Sequence, residues 1–320
     1  MAELRQDKLT KEWVTIAEER ANRPTSFDPA LVHGAGGASA DVERGACPFC
    51  PGSGLTQESV YESEDGAVRI VPNLYPALTL TSPQGYGAHE VVIDTPDHSK
   101  QLIDFSPAEI KTVLDSIRQR MIHYNKDPRI QYVQVFKNSG PKAGASIAHS
   151  HWQLLAMPLA TEKLKTIWRN TGQYWAEGCC PICDMGRYRQ PELLVYENAN
   201  AMLYAPYASK YQYTLQIAPK EHCPGLTSAT DECVRDMADA LLAALRALRG
   251  VFENLPYNIT LIDGGNPNLW ANRRRHHMYW EIIPRMGGFG GLELSTGCYI
   301  NPVYPEKAAD NLRNRLTRTN

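Results

Sequence analysis

Residues 144–158 read GASIAHSHWQLLAMP, and residues 277–283 read HMYWEII. Each places a Trp three residues after a His and a carboxamide or carboxylate one residue further on, and each ends in an apolar tail. Alternate residues on a strand point to one face. His149, His151 and Gln153 therefore share a surface, just after a small Gly-Ala-Ser turn where backbone N–H groups can approach a ligand. A strand serving only as architecture has little use for two imidazoles and a carboxamide on one face.

Working outward, the whole chain repeats. CPFC supplies Cys47 and Cys50, and CPIC supplies Cys180 and Cys183. Apolar strand-like runs then end at His98 (AHEVVIDTPDH) and at His222 (YTLQIAPKEH). Each run is followed by a helix signal. In SPAEIKTVLDSIRQRM, Ser106 is an N-cap, Pro107 takes the first helical position and Glu109 completes a capping box. SATDECVRDMADALLAALRAL opens with Ser228 and Asp231 in similar roles. A further strand follows in each half, YVQVFKNSG from Tyr132 and YNITLIDGG from Tyr257. Equivalent positions lie 124 to 133 residues apart, which marks a two-copy duplication rather than a short-period solenoid. The boundary is placed at 165/166, within the stretch 160–178, giving units 1–165 and 166–320.

Each half offers Cys, Cys, His, His in the same order. These are Cys47, Cys50, His98 and His149, then Cys180, Cys183, His222 and His277. Cys-x-x-Cys lets two thiolates reach one ion from a tight turn, and zinc in structural sites takes four such ligands. One pair alone matches redox motifs too, but two pairs with equivalent histidines favour metal. Two zinc ions per chain are expected. In the second half CCPIC and RRHH leave Cys179 and His276 as alternatives, and the match of Trp152 to Trp280 favours His277. Cys223, Cys233 and Cys298 read as small buried hydrophobes, and His33, His89 and His123 show no partner pattern.

With His149 as a ligand, His151 is left for chemistry. The alignment puts Tyr279 at the position of His151 and Glu281 at that of Gln153, so the second copy folds without that histidine. A neutral imidazole is a competent nucleophile at phosphorus when its other ring nitrogen donates to a carbonyl. Gln153 can donate to a phosphoryl oxygen, and Ser146 with the backbone of Gly144 and Ala145 can hold a leaving phosphate. The run Arg273, Arg274, Arg275 reads as a solvated face rather than an acceptor site. No phosphate-binding loop of the Walker type and no dinucleotide-binding glycine fingerprint occurs.

Composition narrows the classes. In 320 residues, 43% are hydrophobic and 21% charged, as in ordinary globular proteins. A formal net charge of −2 supplies no overall basic excess for nucleic acid. No apolar run reaches membrane-spanning length, and MAELRQDKLTKEW lacks a signal-peptide core. A cytoplasmic location is expected, with cysteines serving as ligands or buried thiols rather than disulfides.

His149-Ser-His151-Trp-Gln153 resembles the His-x-His-x-Gln signature of the galactose-1-phosphate uridylyltransferase branch of the histidine-triad superfamily. ANRPTSF, CPFCPG, VPNLYPAL, HEVVIDTPDHS and VFKNSGPKAGAS fall in family order, and GFGGLELSTGCYINPVYPEKAA is similar to the C-terminal segment of microbial and plant ADP-glucose phosphorylase-like members. The resemblance covers nearly the whole chain. It implies an α+β fold of two tandem histidine-triad-like halves, each a mostly antiparallel sheet with helices and one zinc site. It also implies a homodimer and a two-step nucleotidyl transfer through His151, from a nucleoside diphosphate sugar to a sugar 1-phosphate or phosphate. Arg23, Asn138 and Ser146 fall at phosphate contacts, Asn73 at the nucleoside, and Glu293 at the sugar or acceptor phosphate, across the dimer. Uridylyltransferases of the family carry Pro where this chain has Ser150. The leading reading is a UDP-glucose:hexose-1-phosphate uridylyltransferase. Its rival is an adenylyl-transferring relative, using ADP-glucose or adenylyl sulfate with phosphate. A zinc-stabilised nucleotide-binding protein without turnover is the reading from another class.

Overall fold

The computed structural model describes residues 2–22, 47–53, 57–187 and 190–317. Arg23 and His33 lie outside them. The strands are β1 (Glu3–Gln6), β2 (Trp13–Ile16), β3 (Tyr61–Glu62), β4 (Arg69–Pro72), β5 (Ala88–Ile93), β6 (Tyr132–Ser139), β7 (His151–Met157), β8 (Leu194–Glu197), β9 (Ala201–Tyr204), β10 (Leu215–Pro219), β11 (Tyr257–Ile262), β12 (Tyr279–Pro284) and β13 (Tyr299–Asn301). The helices are α1 (Pro107–Tyr124), α2 (Glu162–Ala176), α3 (Pro181–Arg187), α4 (Asp231–Val251), α5 (Gly291–Thr296) and α6 (Pro305–Leu316).

The expected antiparallel halves are present, and they fuse. Strand order β3-β4-β5-β7-β6-β11-β12-β10-β9-β8 forms one ten-stranded sheet, antiparallel at every named pairing. The order reads the same from either end if β3, β4, β5, β7, β6 are exchanged for β8, β9, β10, β12, β11, so the duplication is visible as topology. The join is β6 against β11, with Lys137 opposite Ile259 and Asn138 opposite Asn258. Each of these strands would be an unpaired edge in an isolated half, and pairing them satisfies both rows of backbone groups. A second sheet, β1-β2-β13, ties the chain's start to its end, with β13 parallel to β2.

Both long helices pack on one face of the large sheet. Helix α1 starts as its sequence dictates: the Ser106 hydroxyl accepts the Glu109 N–H, and the Glu109 carboxylate accepts the Ser106 N–H. It buries Ile110, Val113, Leu114, Ile117 and Met121 along one stripe. Helix α4 starts differently from expectation. Thr230, not Ser228, is the N-cap, its hydroxyl accepting the Cys233 N–H at 3.2 Å. Asp231 is the first helical residue, where a carboxylate suits the helix dipole. Ser228 belongs to a preceding 3₁₀ turn and bonds Arg273 instead. Between helices and sheet, Trp152 and Trp280 meet edge-on at 5.7 Å, one from each copy, and the core continues through both halves. Among the described residues no helix is long and apolar enough to cross a membrane.

The other face of the sheet differs between the copies. Over the second half it is sealed by an apolar cluster that brings Leu9, Leu164 and Ile167 onto Ile262, Tyr204 and Tyr279. Over the first half it carries His89, Gln153 and Asn138, all half-buried.

Candidate active site

Two Cys2His2 clusters are assembled as the spacing requires. In the first, Cys47, Cys50, His98 and His149 place their donor atoms within 4.8 Å of one another, and in the second Cys180, Cys183, His222 and His277 do the same. The imidazole Nδ1 atoms face the sulfurs: His149 at 3.7 and 3.6 Å, His98 at 3.3 Å, His277 at 3.5 and 3.3 Å, and His222 at 3.6 Å. Bond lengths of ~2.3 Å to sulfur and ~2.0–2.1 Å to nitrogen put tetrahedral ligands of zinc about 3.5 Å apart, so the donor sets fit the ion. Three of the four imidazoles turn the other ring nitrogen to a main-chain carbonyl, which fixes the ring. His149 Nε2 donates to Thr95 O at 2.8 Å, His277 to Pro219 O at 3.0 Å, and His222 to Arg274 O at 2.9 Å. The sequence alternatives fall away. Cys179 bonds the Tyr174 carbonyl, and His276 is buried near the Ile262 carbonyl.

His151 opens β7 on the face opposite Trp152. Its Nδ1 donates to the His149 carbonyl at 2.8 Å, which leaves the Nε2 lone pair free. The Phe49 ring, from the first Cys-x-x-Cys turn, lies against it at 5.0 Å between centroids. One short segment thus joins metal ligand and nucleophile: the His149 ring lies in the cluster while its carbonyl sets the tautomer of His151. Burial pushes the His151 imidazole down to about 4, the Lys137 ammonium adds to this, and the bond to His149 opposes both. The depressed value keeps the ring neutral where a free histidine is protonated. Formation of a nucleotidyl-enzyme is therefore expected to stay flat as pH falls from 8 to about 6. A pre-steady-state pH profile with an acid limb centred near 6.5 would contradict this placement.

Gln153 is aimed by a residue that sequence reasoning missed. His89 on β5 shares the Gln153 face, and the Ala77 N–H donates to His89 Nδ1 at 3.2 Å. The ring proton is then on Nε2, which donates to Gln153 Oε1 at 2.9 Å. The carboxamide oxygen is thereby occupied and the NH2 of Gln153 is turned outward as a donor. Asn73 lies beside His89, its N–H donating to the His89 carbonyl at 2.8 Å and its side-chain oxygen accepting the Tyr75 N–H at 2.8 Å. So His89, read as having no partner, joins Asn73 to Gln153. A strand register, not a motif, reveals it.

Asn138 is held from the other copy. Asn258 donates to Asn138 Oδ1 and to the Ala143 carbonyl, both at 2.8 Å, and Arg285 donates to Asn258 Oδ1 at 3.2 Å. The Asn138 NH2 then faces Gly144, whose φ of 87° belongs to the left-handed region that favours glycine. The expected backbone cradle needs correction. The Gly144 N–H is bonded to Pro141 O and the Ala145 N–H to Gly140 O, so both amides close the turn instead of awaiting a phosphate. Ser146 is exposed, and it lines a cavity of about 820 Å³ that reaches Lys137 and Ser150.

The remaining candidates separate from this site. Glu293 accepts the Gly290 N–H at 2.9 Å and lines another cleft with Lys210, Tyr211 and Tyr299. The arginine run is split rather than wholly solvated. Arg273 is buried, 3.5 Å from Asp263 and bonded to Ser228 and Thr227, while Arg274 is exposed. Cys223 and Cys233 are buried as expected, but Cys298 is half-exposed at the end of α5. Tyr279, the second copy's equivalent of His151, is built into the core, while Glu281, the equivalent of Gln153, is half-buried and accepts from Gln216 at 2.9 Å.

A family described as a domain of unknown function, DUF4921, matches residues 87–320. An ADP-glucose phosphorylase of Arabidopsis thaliana is 32% identical over 97% of this chain and 92% of its own length. A galactose-1-phosphate uridylyltransferase of Thermotoga maritima is 25% identical, with 98% of each chain covered. The crystal structure of an Arabidopsis thaliana ADP-glucose phosphorylase with bound ADP-glucose superposes with a TM-score of 0.87 at 30% identity, covering 98% of both chains. Two fused halves, paired Cys2His2 clusters and a single His-x-His-x-Gln strand agree with these likenesses: this chain belongs to the galactose-1-phosphate uridylyltransferase family of the histidine-triad superfamily, in its ADP-glucose phosphorylase-like branch, and is a nucleotidyltransferase.

Proposed function

We propose that the enzyme is an adenylyl-transferring phosphorylase that takes ADP-glucose and inorganic phosphate to ADP and glucose 1-phosphate. The observation that carries this reading is the 32% identity to an ADP-glucose phosphorylase over nearly the full length, against 25% to a uridylyltransferase. It supports the adenylyl reading over the uridylyl one that the motifs alone favour. The Thermotoga maritima likeness, equally long, keeps UDP-glucose with a hexose 1-phosphate as the second reading.

On this reading His151 Nε2 attacks the adenosine-bearing phosphorus. The bond from that phosphorus to the bridging oxygen breaks, and glucose 1-phosphate leaves with the electron pair. The Nδ1 proton stays on the ring, shared with the His149 carbonyl, and stabilises the phosphoryl-imidazolium. The outward NH2 groups of Gln153 and Asn138 supply donors to non-bridging oxygens as charge shifts. Phosphate then attacks the same phosphorus, and ADP departs with His151 restored. Cys47, Cys50, His98 and His149 would hold one zinc, and Cys180, Cys183, His222 and His277 a second. Each group offers four protein donors, so the metal would supply cross-linking of the fold. Units 1–165 and 166–320, a cytoplasmic location and a homodimer complete the reading. Leu292 and Leu294, exposed beside Glu293, suit burial against a second copy.

The test uses nucleotide sugars labelled at the phosphorus next to the nucleoside. ADP-glucose should leave acid-labile label on the protein, and phosphate should discharge it as ADP. Labelling by UDP-glucose instead, with discharge by hexose 1-phosphate, would replace the adenylyl reading by the uridylyl one. No label from either would overturn both.

A further inference from the structure

Behind the nucleophile, on the helix side of the sheet, lies a buried polar cluster whose one part in the chemistry above is the charge that Lys137 sets beside His151. Lys137 and Asp94 are ion-paired at 2.9 Å, with side chains 2% and 0% exposed. The Lys137 ammonium has three N–H donors and three acceptors: Asp94 Oδ2, Ser150 Oγ at 2.7 Å and the His151 carbonyl at 3.0 Å. Ser150 in turn donates to Asp94 Oδ2 at 3.0 Å. The segment 149–151 is thus gripped at the Ser150 side chain and the His151 carbonyl from behind. At the His149 carbonyl it is gripped by the catalytic ring itself.

The second copy shows what the fold requires here. Phe136 pairs with Gln153 as Thr260 pairs with Glu281, so Lys137 corresponds to Leu261. Val92 pairs with Trp152 as Ile217 pairs with Trp280, so Asp94 corresponds to Pro219. Ser150 corresponds to Met278, each following the ligand histidine. Leu261, Pro219 and Met278 are all buried. The same strands close over an apolar core in the half that lacks the nucleophile. Buried ion pairs are often no better for stability than apolar replacements. The polar version occurs in the half that carries His151.

We propose that Lys137, Asp94 and Ser150 are positioning residues that fix the main chain at His151 and so aim its Nε2 at phosphorus. This rests on His151 being the nucleophile. The decisive variant gives the first copy an apolar set, Asp94→Ala, Lys137→Leu and Ser150→Met together, so that no lone charge is buried. Expected are a folded protein with unchanged zinc content, a KM for ADP-glucose within about threefold, and a kcat lowered about 10- to 100-fold, the range for a misaimed reacting group. Nitrogen NMR of 15N-histidine-labelled protein reads the same effect without substrate. Wild type should show His151 as the single Nδ1-protonated tautomer, and the variant an exchange-averaged ring. Ser150→Ala, which keeps the ion pair, should show both effects at smaller amplitude. Unchanged kcat with an unchanged tautomer overturns the proposal, as does a fall in kcat that tracks loss of zinc or of fold in both variants. If wild type turns over no nucleotide sugar, the functional reading fails, and the NMR comparison still decides the cluster.

Discussion

His151→Gly should lower nucleotidyl transfer by at least about a thousandfold, roughly 4 kcal/mol of transition-state stabilisation, while melting temperature and zinc content stay near wild type. The ring makes one hydrogen bond, to the carbonyl two residues back, and one aromatic contact, to Phe49. Only the contact to Phe49 joins two segments, the Cys47–Cys50 turn is tied to His149 by its cysteines as well, and the second copy forms the same strand pairing without a histidine at this position. The cost to folding is confined to the lost packing and the freedom of one glycine in a strand, about 1 kcal/mol for the latter. Tyr279→Phe is the matched control. Tyr279 is sealed beneath Leu9 and Ile262, so removing its hydroxyl should leave formation of the nucleotidyl-enzyme within about twofold of wild type. Rapid-quench measurement of the labelled enzyme compares the two. A His151→Gly rate within about tenfold of wild type, or about 1.4 kcal/mol, would remove this histidine from the covalent step.

The parts of this site legible in the sequence are those set by short spacings and by repetition. Cys-x-x-Cys brings two thiols to one point through a single turn, and His149 and His151 share one segment, so neither depends on how strands pair. Repetition added what one copy could not: it resolved His277 against His276, and it singled out His151 by its absence from the second copy. What stayed hidden depends on register and on the join between halves. His89 reaches Gln153 only because β5 pairs with β7 in one particular alignment, and a slip of one residue would turn it to the other face. Asn258, itself held by Arg285, reaches Asn138 only because β11 lies against β6, a pairing across 120 residues. Lys137 is a lone lysine in an apolar strand, and its partners come from two other segments. The Gly144 and Ala145 amides were misjudged for a related reason: a glycine-containing turn can use its N–H groups to close itself, and here it does. Ser228 does not cap the helix because it closes the 3₁₀ turn Leu226–Ser228, where its hydroxyl accepts from the buried Arg273, and Thr230 takes the role.

Removing one thiolate from each metal cluster should separate architecture from catalysis. Cys47→Ala and Cys180→Ala are each expected to lose one of two zinc equivalents, measured on protein purified without chelator. Each should also lower the melting temperature on the order of 10 °C, since metal bound by the folded state alone adds its binding energy to stability. Their effects on transfer should diverge. In the first half the Cys47–Cys50 turn also carries Phe49, which packs on the His151 ring, and the metal-facing His149 supplies the carbonyl that fixes the ring's tautomer. Loss of zinc there releases both constraints at once, so Cys47→Ala should cut transfer about a hundredfold or more below the melting transition. In the second half His277 leads into a strand whose next outward side chain is Tyr279, sealed in the core. Cys180→Ala should therefore cost stability with less than about a tenfold loss of transfer at low temperature. Equal losses of transfer in the two variants, measured where both remain folded by circular dichroism, would show that the first cluster has no privileged link to the nucleophile. Two zinc equivalents retained in either variant would show that the altered cysteine is not a ligand.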